Sequence, residues 1–290
     1  MSRERAIAAM RGEAGELVAG VSWLPADALA SLVFGTGAEG PSESLEAVVR
    51  ALSLDFAFVP AEDAWAADAV AGVHEADAAV VWAVPGVLTR IAEQVGWTEA
   101  LRKTASEPGM LASGLAEALH EALVDVRRGV SAGADVVLVA DELAGASGPL
   151  VAPDYALDAL VPCYQRISAE AEASALPMAL HSDGDVRVLM PAFVRAGVSA
   201  LHLGGLGPDA FAASLTAAHA AGLVVLGGIE AATLLEGARH SGERVGRLAV
   251  AGGLVVCDDG GLTRPEEVAA YATALEAAHV AYANGERGED

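Results

Sequence analysis

The sequence predicts one α/β domain over residues 1–290, a single (β/α)8 TIM barrel with extra helices between strands three and four. Three observations carry that expectation. Short runs of Val, Leu and Ala, each ending in Gly, Pro or an acidic residue, alternate with longer Ala/Leu/Glu segments of helical period. The runs are continuously apolar, as a parallel sheet covered on both faces requires. A chain of 290 residues also suits one barrel of about 250 residues carrying an insertion.

In chain order the predicted strands are residues 17–24, 54–60, 78–84, 135–140, 178–181, 200–203, 223–227 and 248–250, the last with an extension to 256. The helical stretches are 41–53, 65–76, 87–132, 153–175, 186–196, 208–221, 231–241 and 264–283. Strict strand–helix alternation favours a closed barrel over a doubly wound sheet. Gly133 before Asp135 and Gly197 before Ser199 end helices with the turn chemistry expected ahead of a strand. Residues 87–132 are long enough for two or three helices, an insertion expected to cover part of the barrel or a partner surface such as that of a homodimer. The polar tail, residues 284–290, is expected to fray.

Hydrophobic residues make up 53% of the chain and aromatic ones only 4%, so the core is built from many small aliphatic side chains. Forty acidic residues against 17 basic ones give a net charge of −23, which repels nucleic acid and anionic membranes. Cys163 and Cys257 show no disulfide spacing, pointing to a reducing cytoplasm. The charged start Met1-Ser-Arg-Glu-Arg5 is unlike an apolar signal core, and no run approaches the ~20 residues that span a bilayer.

In β/α barrels the active site forms where strands end. Those positions hold Glu62, Asp63, Asp141, Glu142, His181, Asp183, His202, Glu230, Cys257, Asp258 and Asp259. His181 and Asp183, with Gly184 allowing a turn, can face one cavity if the strand breaks between them. With Cys257 as third ligand they suit Zn²⁺ or another divalent ion, leaving one position for substrate. The alternative has Asp183 orienting His181 or capping the next helix, and Cys257 as a small buried residue. His202 is a general acid, a substrate donor or a core histidine bonded to backbone. Asp141 and Glu142 are further catalytic candidates, and Trp23, Tyr164, Gly228 and Glu230 candidate substrate contacts. Lys103 is the only lysine, which argues against Schiff-base chemistry, and neither a Rossmann fingerprint nor a Gly-x-Ser-x-Gly elbow is present.

The runs Gly133-Ala-Asp135-Val-Val-Leu-Val-Ala-Asp141-Glu142, Gly148-Pro-Leu-Val-Ala-Pro153-Asp-Tyr155, Val161-Pro-Cys-Tyr164-Gln-Arg166, Leu180-His181-Ser-Asp183-Gly184 and Gly227-Gly-Ile-Glu230 resemble the uroporphyrinogen decarboxylase superfamily. That superfamily comprises β/α barrels that decarboxylate tetrapyrroles or exchange methyl groups with corrinoid proteins. The decarboxylase's arginine-rich first motif and final Gly-His pair are absent; Val21-Ser-Trp-Leu-Pro-Ala-Asp27 and Val256-Cys-Asp258 stand there instead. Acidic strand ends also disfavour a substrate bearing many carboxylates. The zinc-dependent methyltransferase branch has His-x-Cys on strand five and a Cys after strand eight; here His181, Asp183 and Cys257 fill those positions. The resemblance therefore implies a methyltransferase moving a methyl group between a small substrate, which the acidic cluster would favour as a cation, and a corrinoid presented by a separate protein. Asp for Cys would make the metal more Lewis acidic. The rival readings are a carboxy-lyase using Asp141 or Asp183 as proton carrier, and a non-catalytic barrel that binds a corrinoid or tetrapyrrole.

Overall fold

The computed structural model describes residues 2–13, 15–24 and 40–287. Eight strands, β1 (Gly20–Val21), β2 (Phe56–Pro60), β3 (Ala79–Pro85), β4 (Val136–Ala140), β5 (Met178–Asp183), β6 (Ala200–Gly204), β7 (Val224–Ile229) and β8 (Leu254–Asp258), pair in chain order, all parallel. Ala19 bridges Val256, and the Val256 amide donates to the Val18 carbonyl at 2.8 Å, bringing the sheet round to a barrel. The predicted α/β barrel is the observed fold.

Among the described residues the helices of six residues or more are α1 (Ser2–Met10), α2 (Pro41–Leu52), α3 (Ala66–Glu75), α4 (Val87–Val95), α5 (Trp97–Ser106), α6 (Ala112–Ala132), α7 (Val161–Glu172, led in by the helical turns Pro153–Tyr155 and Ala156–Leu160), α8 (Met190–Arg195), α9 (Pro208–Ala220), α10 (Leu234–Ala249) and α11 (Pro265–Arg287). The insertion between β3 and β4 is thus α4, α5 and α6. No helix among the described residues is long and apolar enough to cross a membrane.

Several boundaries differ from expectation. Residues 248–249 end α10 and Val250 caps it, and β8 is the segment predicted only as an extension. The predicted stop at 241 fails because Gly242 and Gly246 serve a helix contact: a Cβ there would lie 2.0 and 2.2 Å from the Ala274 and Ala278 carbonyls of α11. β1 is shorter than 17–24 because Ser22 leaves the ladder, its amide donating to Asp258 Oδ1 at 2.8 Å. Residues 25–27 of that first region lie outside the described residues. Residues 284–287 continue α11 rather than fray, next to Tyr282, whose hydroxyl donates to the Gly15 carbonyl at 2.8 Å.

Period-two alternation sorts the strand residues. Phe56, Phe58, Ala79, Val81, Val136, Leu138, Ala179, Ala200, Leu226, Val255 and Cys257 form one buried cluster, and Ala57, Val59, Val80, Val137, Val139, Leu180, Leu201 and Val256 belong to another with the helices. The first fills the barrel. Ala6, Ala9 and Met10 of α1 join it, so this helix stoppers the N-terminal end. Charge fixes α1 there: Arg3 Nη2 reaches Asp135 Oδ1 at 2.7 Å and Arg5 pairs with Asp55, carboxylates standing at strand starts.

Candidate active site

The alternation that fills the barrel continues to its mouth. β5 runs unbroken through His181 to Asp183, so the two side chains share a face because they are two residues apart in a strand. The expected strand break between them is not there. In the β5–β6 register His181 stands opposite His202 and Asp183 opposite Gly204. Only glycine fits at 204: a Cβ would lie 2.2 Å from Asp183 Oδ1. Gly184 turns the chain with φ +78°, and a Cβ there would meet the Gly145 carbonyl oxygen at 2.3 Å. Ser182 Oγ accepts the Leu143 amide at 3.0 Å. That bond holds the loop after β4 against β5, and the Asp183 amide donates to Glu142 Oε2 at 3.4 Å.

Glu142, His181 and Asp183 consequently converge. His181 Nε2 lies 3.6 Å from Glu142 Oε1 and 3.8 Å from Asp183 Oδ1, and one ligand atom from each residue lies within 4.8 Å of the others. His181 is only 5% exposed, whereas half of the Asp183 side chain is accessible. His181 holds the Glu142 carboxyl below its ordinary value, while burial raises that of Asp183. On the other side of the ring, His181 Nδ1 and His202 Nδ1 are 2.8 Å apart, and His202 Nε2 is 2.9 Å from the Asp258 carbonyl oxygen. Burial lowers the His202 pKa to about 3, so this imidazole is neutral. Trp23, two residues past β1, closes the group, its ring edge-on to His181 at 4.7 Å.

Trp23, Glu142, His181 and Asp183 line a cavity of about 360 Å³ with Pro60, Glu62, Ala83, Val84, Pro85, Thr89, Glu93, Ala140 and Gly260. Four of the described lining residues, Glu62, Glu93, Glu142 and Asp183, are acidic and none is Lys or Arg. Burial, then Glu93, raises the Glu62 carboxyl. One imidazole and two carboxylates are donors that suit a divalent cation.

Other predicted residues lie elsewhere. Parity turns Asp141 away from the barrel axis as it turns Glu142 toward it. Asp141 is fully buried and accepts from the Leu88 amide (3.2 Å), the Thr89 amide (2.6 Å), Thr89 Oγ1 (2.9 Å) and the Tyr164 hydroxyl (2.7 Å). The pair thus fixes the start of α4 to α7, and neither residue lines the cavity. Cys257 is fully buried inside the barrel, its thiol pKa raised by burial, and it stands apart from the Glu142–His181–Asp183 group. Gly228 packs beneath Phe211 and Val245, and Glu230 accepts from Thr233 Oγ1 at 2.9 Å. His202 makes the backbone contact named in the third of its readings, through Nε2, while its Nδ1 reaches His181. Thr89 and Glu93, absent from the predicted site, reach the cavity from α4. Nothing in a helical Glu marks it as facing a barrel mouth.

Scans against protein-family models and against curated proteins find no match. Solved structures do match in fold. A methyltransferase from Methanosarcina mazei superposes with a TM-score of 0.73 at 19% identity, over 97% of this chain and 99% of that one. D-psicose 3-epimerase from Clostridium cellulolyticum H10 gives 0.55 at 11% identity, over 94% and 100%. A B12-independent methionine synthase from Shewanella sp. W3-18-1 gives 0.50 at 17% identity, over 79% and 68%. At these identities the likeness establishes the barrel architecture across nearly the whole chain, and the chemistry must be argued from the mouth itself.

Proposed function

We propose that the barrel mouth is the active site of a methyltransferase that moves a methyl group between a small cationic substrate and a corrinoid carried by a separate protein. The observation that carries this reading is the His181 Nε2 atom set between the Glu142 and Asp183 carboxylates, at the wall of a cavity whose described lining contains no Lys or Arg. Three oxygen and nitrogen donors invite a divalent cation, with Glu142 taking the place expected of Cys257. With four lining carboxylates ionised and one divalent ion bound, two negative charges remain, which favours a substrate bearing positive charge. Glu62 and Glu93 would face that charge, and Trp23 offers an aromatic wall to it. The bound ion would supply Lewis acidity, stabilising the electron pair left on the heteroatom as the methyl departs.

The motif resemblance and the likeness in fold to a structure described as a methyltransferase support methyl transfer. The acidic lining argues against a tetrapyrrole bearing many carboxylates. Asp141, saturated by four donors, is poorly placed as a proton carrier, which weakens the lyase alternative.

Two measurements test the reading. Elemental analysis of the purified protein should find close to one divalent ion per chain, lost in Glu142→Gln. Corrinoid absorbance should then change on adding a methylated amine, the enzyme and a corrinoid protein. Substoichiometric metal after incubation with excess Zn²⁺ or Mn²⁺ removes the ion, and no corrinoid response to methylated amines, thioethers or methoxy compounds removes the transfer.

A further inference from the structure

We infer that His202 is a positioning residue: it accepts the Nδ1 proton of His181 while its own Nε2 proton goes to the Asp258 carbonyl, which commits His181 Nε2 to a cation. The Asp258 carbonyl fixes the proton positions from one end. A carbonyl oxygen only accepts, so the 2.9 Å contact with Asp258 requires a proton on His202 Nε2. His202 is completely buried, and among the described residues the polar contacts of its ring are that carbonyl and the other imidazole, with no carboxylate. A neutral ring already protonated on Nε2 has a lone pair on Nδ1. The 2.8 Å separation from His181 Nδ1 is then a hydrogen bond in which His181 donates. Its remaining nitrogen, Nε2, faces Glu142 and Asp183 at 3.6 and 3.8 Å. Two carboxylates around a lone pair repel it unless a positive species sits between them, either a proton or a metal ion.

The backbone supports the same geometry. His181 and His202 are direct partners in the β5–β6 ladder, so strand register sets the distance between the rings. Asp258 is held by Ser22 and by the Gly261 amide at 2.7 Å, which anchors the carbonyl at the end of the relay. Metal-bound histidines commonly donate their second nitrogen to a fixed acceptor, and loss of such an acceptor weakens binding about 10- to 100-fold. Here that acceptor is an imidazole one strand away.

The cation half of this inference rests on the proposed function, whereas the proton placement does not. The test uses the full chain labelled with ¹⁵N-histidine. In the metal-free protein, ¹⁵N–¹H correlation spectra should show a proton on His181 Nδ1 and one on His202 Nε2. Titration with Zn²⁺ should then move the His181 Nε2 resonance and leave its Nδ1 proton in place. Leucine and asparagine have similar volumes, but only asparagine keeps an oxygen close to the position of Nδ1. Zn²⁺ affinity should therefore fall about 10- to 100-fold in His202→Leu and within a few-fold in His202→Asn. A His181 ring protonated on Nε2 alone in the unmodified metal-free protein overturns the inference, as do equal losses in the two variants. If the unmodified chain binds no Zn²⁺ while its Nδ1 proton is present, the proposed metal site fails and the relay stands.

Discussion

Asp141 and Tyr164 are joined by a 2.7 Å hydrogen bond in the interior, between the end of β4 and helix α7. Three further donors from Leu88 and Thr89 complete the carboxylate's partners. Tyr164→Phe removes one donor and leaves the others, so stability should fall by about 1–3 kcal/mol. Divalent-ion affinity should stay unchanged. Urea unfolding alongside a metal titration checks both, and a large drop in affinity would show that the pair acts in the site.

Cys257 and Glu142 make opposite predictions. Glu142→Gln weakens an oxygen ligand beside His181, and affinity for Zn²⁺ or Mn²⁺ should drop at least about tenfold. Cys257→Ser alters a thiol enclosed within the barrel, so affinity should hold and the cost should appear as lower stability. Calorimetric titration of the two variants separates them; the reverse pattern would return Cys257 to the ligand set.

Met10 is fully buried beneath the barrel. Truncation to alanine leaves a cavity in the buried cluster that also holds Val18 and Val81, for an expected loss of about 2–5 kcal/mol. The mouth is at the opposite end of the barrel, so metal affinity in the folded variant should match that of the unmodified protein. A stability change below 1 kcal/mol, read from denaturant midpoints, would mean that α1 does not stopper the barrel.

Burial, and secondarily Asp141, push the Cys163 thiol up to about 11. At pH 8 roughly one molecule in a thousand therefore carries the thiolate that reacts with iodoacetamide. Alkylation of folded protein should be slow at pH 8, accelerate toward pH 11 and be fast at any of these values in denaturant. The folded pKa lies above the ordinary value of 9, so this contribution to stability is complete below pH 9 and is lost as the pH rises toward 11. Rapid labelling of the native chain at pH 8, followed by mass spectrometry, would be inconsistent with this environment.

The strands of the barrel were legible because each must be apolar on both faces, and residues such as Val136 to Ala140 carry that demand in their composition. The exceptions share a cause. Leu248-Ala-Val250 reads like a strand, yet Leu248 and Ala249 are the last turn of a helix whose glycines touch Ala274 and Ala278, and Val250 caps it; composition cannot distinguish the two.

At the site, His181 and Asp183 could be paired from the sequence alone, since positions two apart in a strand share a face. The alternation also distinguishes Glu142 from Asp141, though only once the strand's inward face is known. What the chain determined by itself was local: the strand–helix alternation, the acidity of the strand ends and the spacing of His181 and Asp183. Tertiary structure decided which carboxylate joined them. Parallel register set His202 opposite His181, the Ser182 bond to Leu143 held Glu142 at the end of β5, and helix α4 carried Glu93 to the cavity. Those contacts join residues distant along the chain, and their distances depend on how strands align and helices dock, which no local pattern encodes.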